Sequence, residues 1–122
     1  MIPAADLAAL VTSYPTAVVT DRVDHTAVVA VPDLPLGPGW NRPTTEVLYL
    51  VPTAYPAAQP DCFYTGPQLR LAGGQLPSNT ALNDLDGRQL LWFSWHLASW
   101  HPHRDNLVSY LHFIERRLHH AH

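Results

Sequence analysis

The chain has 122 residues, 47% of them hydrophobic, and this length suits one domain with a single core. No apolar run approaches the roughly 20 residues of a membrane-spanning helix, and no basic region typical of a signal peptide precedes the first apolar residues. All seven basic residues are arginines and the net charge is −3, which argues against a nucleic-acid groove. We therefore expect a single cytoplasmic domain over residues 1–122 that binds neither nucleic acid nor membrane.

The N-terminal half is predicted to begin with a short helix and continue as strands. Apolar residues share one helical face within the first 13 residues, and Tyr14-Pro15 is expected to end the helix. Runs of β-branched and aromatic residues then indicate strands. In chain order these strands are predicted at 16–20, 25–31, 46–51 and 62–65. Proline-rich segments separate the last three strands and predict stiff connections rather than regular structure.

The C-terminal half is predicted to be irregular before it closes with a helix. Residues 66–88 contain several glycines and prolines and are interpreted as a long loop. An aromatic-rich stretch follows at 90–100, and apolar positions at helical spacing predict a helix over 105–118 with Asp105 as its N-cap. Consecutive strands between two amphipathic helices favour an α+β fold built on an antiparallel meander of about four strands.

Two segments carry a resemblance to a known superfamily: EVLYLVPTAYPAAQPDCFY at 46–64 and FSWHLASWHPHRDNLVSYLHFIERRL at 93–118. The first resembles the strand and Tyr-Pro segment of ubiquitin-conjugating (E2-type) proteins. The second resembles their Trp-x-Pro turn and last core helix, here entered through Trp100-His101-Pro102. From about Val28 to Leu118 the chain is similar to the bacterial branch called prokaryotic E2 family E.

This resemblance implies a ubiquitin-conjugating (UBC)-like fold and an E2-like carrier function. The partners that it implies are a ubiquitin-like or multi-ubiquitin-like protein and an E1-like activating enzyme, in systems that also contain a JAB-type protease. The N-terminal helix would then be the docking face for the activating enzyme. No cofactor is expected.

The usual thioester cysteine of such enzymes is missing. It is expected about eight residues before the tryptophan of the Trp-x-Pro turn, and that position is Trp92 here. The single cysteine, Cys62, excludes an intramolecular disulfide, and its place beside Phe63 suggests a small buried hydrophobe. The His-Pro-Asn segment of the family is also absent, although Asn79 is a weak candidate for polarising a carbonyl.

Ser94 and His96 are the alternative catalytic candidates. The resemblance aligns them with a Trp-Ser-x-His-like element of the bacterial branch, so Ser94 would carry the modifier as an oxyester. A serine hydroxyl needs a base, and a histidine side chain accepts a proton near neutral pH. Residues i and i+2 share a face only in extended structure. Asp84 or Asp86 would orient the imidazole, and Asp105 is a weaker acid candidate.

Two alternatives to the E2-like carrier remain open from the sequence. Ser94 and His96 would be framework residues if the chain were an inactive UBC-fold module that binds a ubiquitin-like protein or its activating enzyme. A more distant alternative is a small metal-dependent hydrolase whose ligands are His96, His101 and His103, because three histidines can hold zinc.

Overall fold

The computed structural model describes residues 2–122, and in that range the chain forms two helices and six strands. The elements are α1 Ala4–Ser13, β1 Val18–Asp21, β2 Ala27–Pro35, β3 Thr44–Val51, β4 Phe63–Thr65, β5 Thr80–Leu85, β6 Arg88–Phe93 and α2 Leu107–His119. The α+β class is confirmed, with six strands instead of about four. Over residues 2–122 neither helix has the length and apolar character needed to cross a bilayer.

The strands form one antiparallel sheet in the order β1-β2-β3-β4-β6-β5. β1 to β4 follow one another as the predicted meander. β4 then pairs with β6, so that Phe63 lies opposite Phe93, while β5 forms the edge. The aromatic stretch after β6 therefore leaves the sheet directly beside the start of β4.

The prediction of a long loop over 66–88 was wrong, because residues from Thr80 onward form the β5–β6 hairpin. Its turn consists of Asp86 and Gly87, whose φ angles are 51° and 84°. An Asp-Gly pair with both φ angles positive matches the two-residue turn that twists in the same sense as the strands it joins. β5 was missed because it is an exposed edge strand whose polar sequence lacks hydrophobic alternation.

The core lies between one face of the sheet and the two helices. α2 buries its apolar stripe against the inward-facing strand residues, as its spacing predicts. The fully buried tyrosines Tyr49 and Tyr110 meet there with ring centroids 4.8 Å apart. A smaller cluster of Val28, Leu48, Leu85 and Leu90 covers part of the other face.

The N-cap of α2 is Asn106, which corrects the expectation of Asp105. The Asn106 side chain accepts hydrogen bonds from the amides of Val108 and Ser109, and the Ser109 hydroxyl accepts one from the Asn106 amide. Asp105 lies one residue too early, and its carboxylate accepts a hydrogen bond from the His101 amide instead. An asparagine cap satisfies the same free amides that an aspartate would.

Candidate functional site

The stretch that follows β6 places Ser94 beside Asn79. Residues 94–97 form no helix, and a helix would have placed Ser94 and His96 on different faces. The Ser94 amide donates a 2.9 Å hydrogen bond to the Asn79 carbonyl, and Asn79 has a φ of 59°. Ser94 is half-buried, whereas Asn79 is exposed. The structure therefore brings together two residues that the sequence places 15 positions apart.

His96 is paired with Asp61, a residue that the sequence did not indicate. The His96 Nδ1 and the Asp61 Oδ1 are 2.6 Å apart, and each side chain is 60% exposed. When His96 is neutral and Nδ1 donates to the carboxylate, Nε2 is the nitrogen left to accept a proton. Among the hydrogen bonds that the side chains of residues 2–122 form, none joins Ser94 to His96.

Asp84 and Asp86 lie at the opposite end of the β5–β6 hairpin. Asp84 is paired with Gln89, five residues before Ser94 along β6, which corresponds to about 16 Å of extended strand. Asp86 lies in the turn, where Arg22 donates two 2.9 Å hydrogen bonds to its carboxylate. This pairing holds the pKa of Asp86 below its ordinary value. Asp61 is consequently the carboxylate that faces His96.

The single cysteine lies beside this His96–Asp61 pair. Cys62 is 7% exposed, its amide donates to the Trp95 carbonyl at 3.1 Å, and its carbonyl accepts from the Tyr110 hydroxyl at 2.7 Å. Its φ of 58° is unusual for a residue other than glycine. Burial raises the pKa of the Cys62 thiol, which opposes the formation of a reactive thiolate.

The other histidines singled out from the sequence lie apart from His96. Within residues 2–122, Asp61, Cys62 and His96 form a group of metal-ligand types whose donor atoms lie within 4.8 Å of one another. His101 and His103 do not belong to this group. Both are exposed in the turns before α2.

The motif residues Tyr55 and Trp100 connect separate parts of the fold. The Tyr55 hydroxyl donates to the Asp6 carboxylate at 2.5 Å, joining the loop after β3 to α1. The Trp100 indole donates to the Pro56 carbonyl at 2.8 Å, and its ring lies 6.1 Å from that of Tyr55. These contacts tie the irregular stretch after β6, at Trp100, to the loop after β3, and Tyr55 ties that loop to α1.

Arg117 is a buried cation near the C-terminal end of α2. It is 3% exposed and donates to three carbonyl oxygens, those of Ser78, His120 and His122, at 3.0–3.3 Å. Its guanidinium carbon also lies 5.3 Å from the ring centres of Phe93 and Trp95. Arg117 thus ties the segment before Asn79 to α2.

The helical periodicity already contained a signal for this burial. Arg117 follows Tyr110 by seven residues and Ile114 by three, which places it on the apolar stripe of α2.

The family model described as Prokaryotic E2 family E matches residues 5–121, nearly the whole chain. No curated protein and no solved structure matches the chain.

Proposed function

The chain belongs to prokaryotic E2 family E, and from this premise we propose that it carries a ubiquitin-like modifier received from an E1-like activating enzyme. The modifier would be held through its C-terminal acyl group, as an oxyester on Ser94. The partners are a ubiquitin-like or multi-ubiquitin-like protein and the activating enzyme of the same system. The observation that carries this proposal is the exposed His96–Asp61 pair, two residues beyond Ser94 in non-helical chain.

The proposed transfer uses the side chains of Ser94, His96 and Asp61. Ser94 Oγ attacks the activated carbonyl carbon, so that a C–O bond forms and the bond to the leaving group on the activating enzyme breaks. The hydroxyl proton passes to His96 Nε2 and from there to the leaving group. Asp61 accepts the hydrogen bond from Nδ1, which keeps the ring in the required tautomer and stabilises the imidazolium.

Asn79 is assigned a positioning role in the same site. Its carbonyl oxygen accepts the Ser94 amide, and that amide is therefore not free to bind the developing oxyanion. The exposed Asn79 side-chain amide would instead donate a hydrogen bond to that oxyanion.

Chemical sensitivity of the adduct tests the proposal. The reduced protein is incubated with activating enzyme, modifier and ATP, and the adduct is treated with thiol reductant or hydroxylamine. An oxyester on Ser94 should resist the reductant, be cleaved by hydroxylamine and disappear in Ser94→Ala. The matched control is Ser99→Ala, an exposed serine in the same irregular stretch. An adduct that survives Ser94→Ala contradicts the assignment.

Mass spectrometry supplies a second readout. The chain contains no lysine, so a side chain that becomes self-modified must be linked through oxygen or sulfur and not through an amine. An adduct mapped to any residue other than Ser94 would contradict the proposed chemistry.

An inactive module that binds a ubiquitin-like protein is the second candidate function. Two observations favour this second function: position 92, eight residues before Trp100, is not a cysteine, and Ser94 and His96 are not hydrogen-bonded to each other. In that case wild type and Ser94→Ala bind the modifier or the activating enzyme equally, and neither forms an adduct.

A further inference from the structure

Three metal-ligand side chains converge at the entrance to β4. Asp61 and Cys62 are consecutive, and His96 approaches them from the stretch that leaves β6. One carboxylate oxygen, the Cys62 sulfur and one ring nitrogen lie within 4.8 Å of one another. The proposed transfer uses Asp61 and His96 but leaves the thiol without a role.

The backbone holds these three side chains in place. The Cys62 amide is bonded to the carbonyl of Trp95, the residue before His96, and the Cys62 carbonyl is bonded to Tyr110 of α2. These two hydrogen bonds hold the Cys62 backbone on both sides. The bond to Trp95 also joins the two chain segments that bear the three donors. Donors mounted on a rigid frame lose little conformational entropy when they bind a ligand.

The donor set suits a thiophilic divalent metal. Thiolate, imidazole and carboxylate are the three ligand types that zinc prefers, and zinc-to-ligand distances near 2.0–2.3 Å place neighbouring ligand atoms about 3.5 Å apart. To reach that spacing, a separation of up to 4.8 Å must shorten by at most about 1.3 Å, whereas the 2.6 Å contact between His96 and Asp61 must lengthen by about 0.9 Å. Asp61 and His96 are 60% exposed, so an ion can enter from solvent, while Cys62 forms the buried wall.

We propose that Asp61, Cys62 and His96 form a three-ligand site for Zn²⁺ or a similar thiophilic divalent ion, with water as the fourth ligand. Metal binding releases the proton of the Cys62 thiol to solvent as the metal–sulfur bond forms. It also breaks the His96–Asp61 hydrogen bond and removes His96 from use as a base. If Ser94 is the acyl carrier proposed above, occupancy of the site inhibits the transfer. Binding itself does not depend on that function, since it requires neither modifier nor activating enzyme.

Titration with metal alone tests the site. The reduced, untagged chain is titrated with Zn²⁺ by calorimetry and with Co²⁺ by absorption, because a thiolate ligand gives Co²⁺ a near-ultraviolet charge-transfer band. One ion should bind per chain. Cys62→Ser should abolish the band, and His96→Asn and Asp61→Asn should each weaken Zn²⁺ binding at least tenfold, about the smallest loss seen even when an outer-shell partner is removed.

Two control variants separate this site from other histidines. Replacing His119, His120 and His122 with asparagine removes the cluster at the end of the chain, and replacing His101 and His103 removes the pair before α2. Both controls should retain the Co²⁺ band and the affinity of wild type. His96 and Asp61 are exposed, so their variants should keep the fold, which circular dichroism verifies.

The proposal is overturned if Cys62→Ser retains the band, if His96→Asn binds Zn²⁺ as wild type does, or if either histidine control abolishes binding. Failure here leaves the Ser94 adduct untouched, and failure to form an adduct leaves metal binding untouched.

Discussion

Replacing Tyr110 with phenylalanine removes one oxygen atom from the frame that holds Cys62. The hydroxyl of this fully buried residue donates a 2.7 Å hydrogen bond to the Cys62 carbonyl. The ring also packs against Tyr49, at 4.8 Å between centroids, and phenylalanine preserves that contact. The substitution therefore isolates the effect of leaving the Cys62 carbonyl without its donor.

The expected loss of stability depends on whether the carbonyl that accepts the tyrosine hydrogen bond has a second donor. Cys62 lies outside the strand ladder, so its buried carbonyl loses the Tyr110 bond without replacement, at a cost of about 1–3 kcal/mol. Tyr49 is the matched control, because it is equally buried and donates at 2.8 Å to the Leu107 carbonyl. That carbonyl keeps its helical partner in α2, so Tyr49→Phe should cost only about 0.5–1.5 kcal/mol.

Thermal and denaturant unfolding measure the difference. An unfolding entropy of about 2.1 cal/mol/K per residue gives a domain of this size about 0.26 kcal/mol/K, so Tyr110→Phe should lower Tm by about 4–12 °C. Urea unfolding with unchanged slope checks the free energy independently. A smaller loss of stability for Tyr110→Phe than for Tyr49→Phe would refute the reasoning.

Three further predictions concern stability. Arg117→Ala should lower the free energy of unfolding by at least about 1.5–3 kcal/mol, the contribution of one hydrogen bond to a charged group. The control is Arg116→Ala, because Arg116 is the exposed neighbour of Arg117. This control should change the free energy by less than about 0.5 kcal/mol, and urea unfolding measures both variants. Arg22 lowers the pKa of Asp86 in the folded state. The stability that Asp86 contributes is therefore present above the ordinary pKa of 3.8 and is lost as pH falls. Asp86→Asn should make Tm fall less steeply at acid pH, and an unchanged acid dependence of Tm contradicts this. Burial raises every tyrosine pKa above the ordinary 10.0, so stability should fall as pH rises through 10.0, and ultraviolet titration should show tyrosinate appearing only with unfolding. These tyrosines are Tyr14, Tyr49, Tyr55, Tyr64 and Tyr110.

Local pattern was sufficient for the first four strands and both helices. β2 and β3 are runs of β-branched and aromatic residues, and α2 repeats its apolar positions at helical spacing. Each of these elements is encoded within about ten neighbouring residues. β5 was not predicted because four of its six residues are exposed and it shows no alternation of buried and exposed residues. The Asp86-Gly87 pair is nevertheless a recognisable hairpin-turn signal.

Only part of the candidate site can be predicted from the sequence, for a related reason. Ser94 and His96 are two residues apart, and the resemblance identified both from neighbouring sequence. Asp61 is 35 residues from His96, and no spacing rule links them. Asp84 and Asp86 were preferred because they are closer in sequence, but antiparallel pairing carries them to the far end of the hairpin.

The sequence by itself determined the α+β class, the family and the absence of a cysteine eight residues before Trp100, because these follow from composition, periodicity and motif order. Only the tertiary structure decided that Asp61 and Cys62 meet His96 and that Arg117 is buried. The pairing of β4 with β6 creates that meeting, and the free energy of pairing distant strands depends on the whole core. In the sequence, Cys62 is simply a cysteine away from the thioester position of the family. In the fold, its sulfur lies beside the donor atoms of Asp61 and His96.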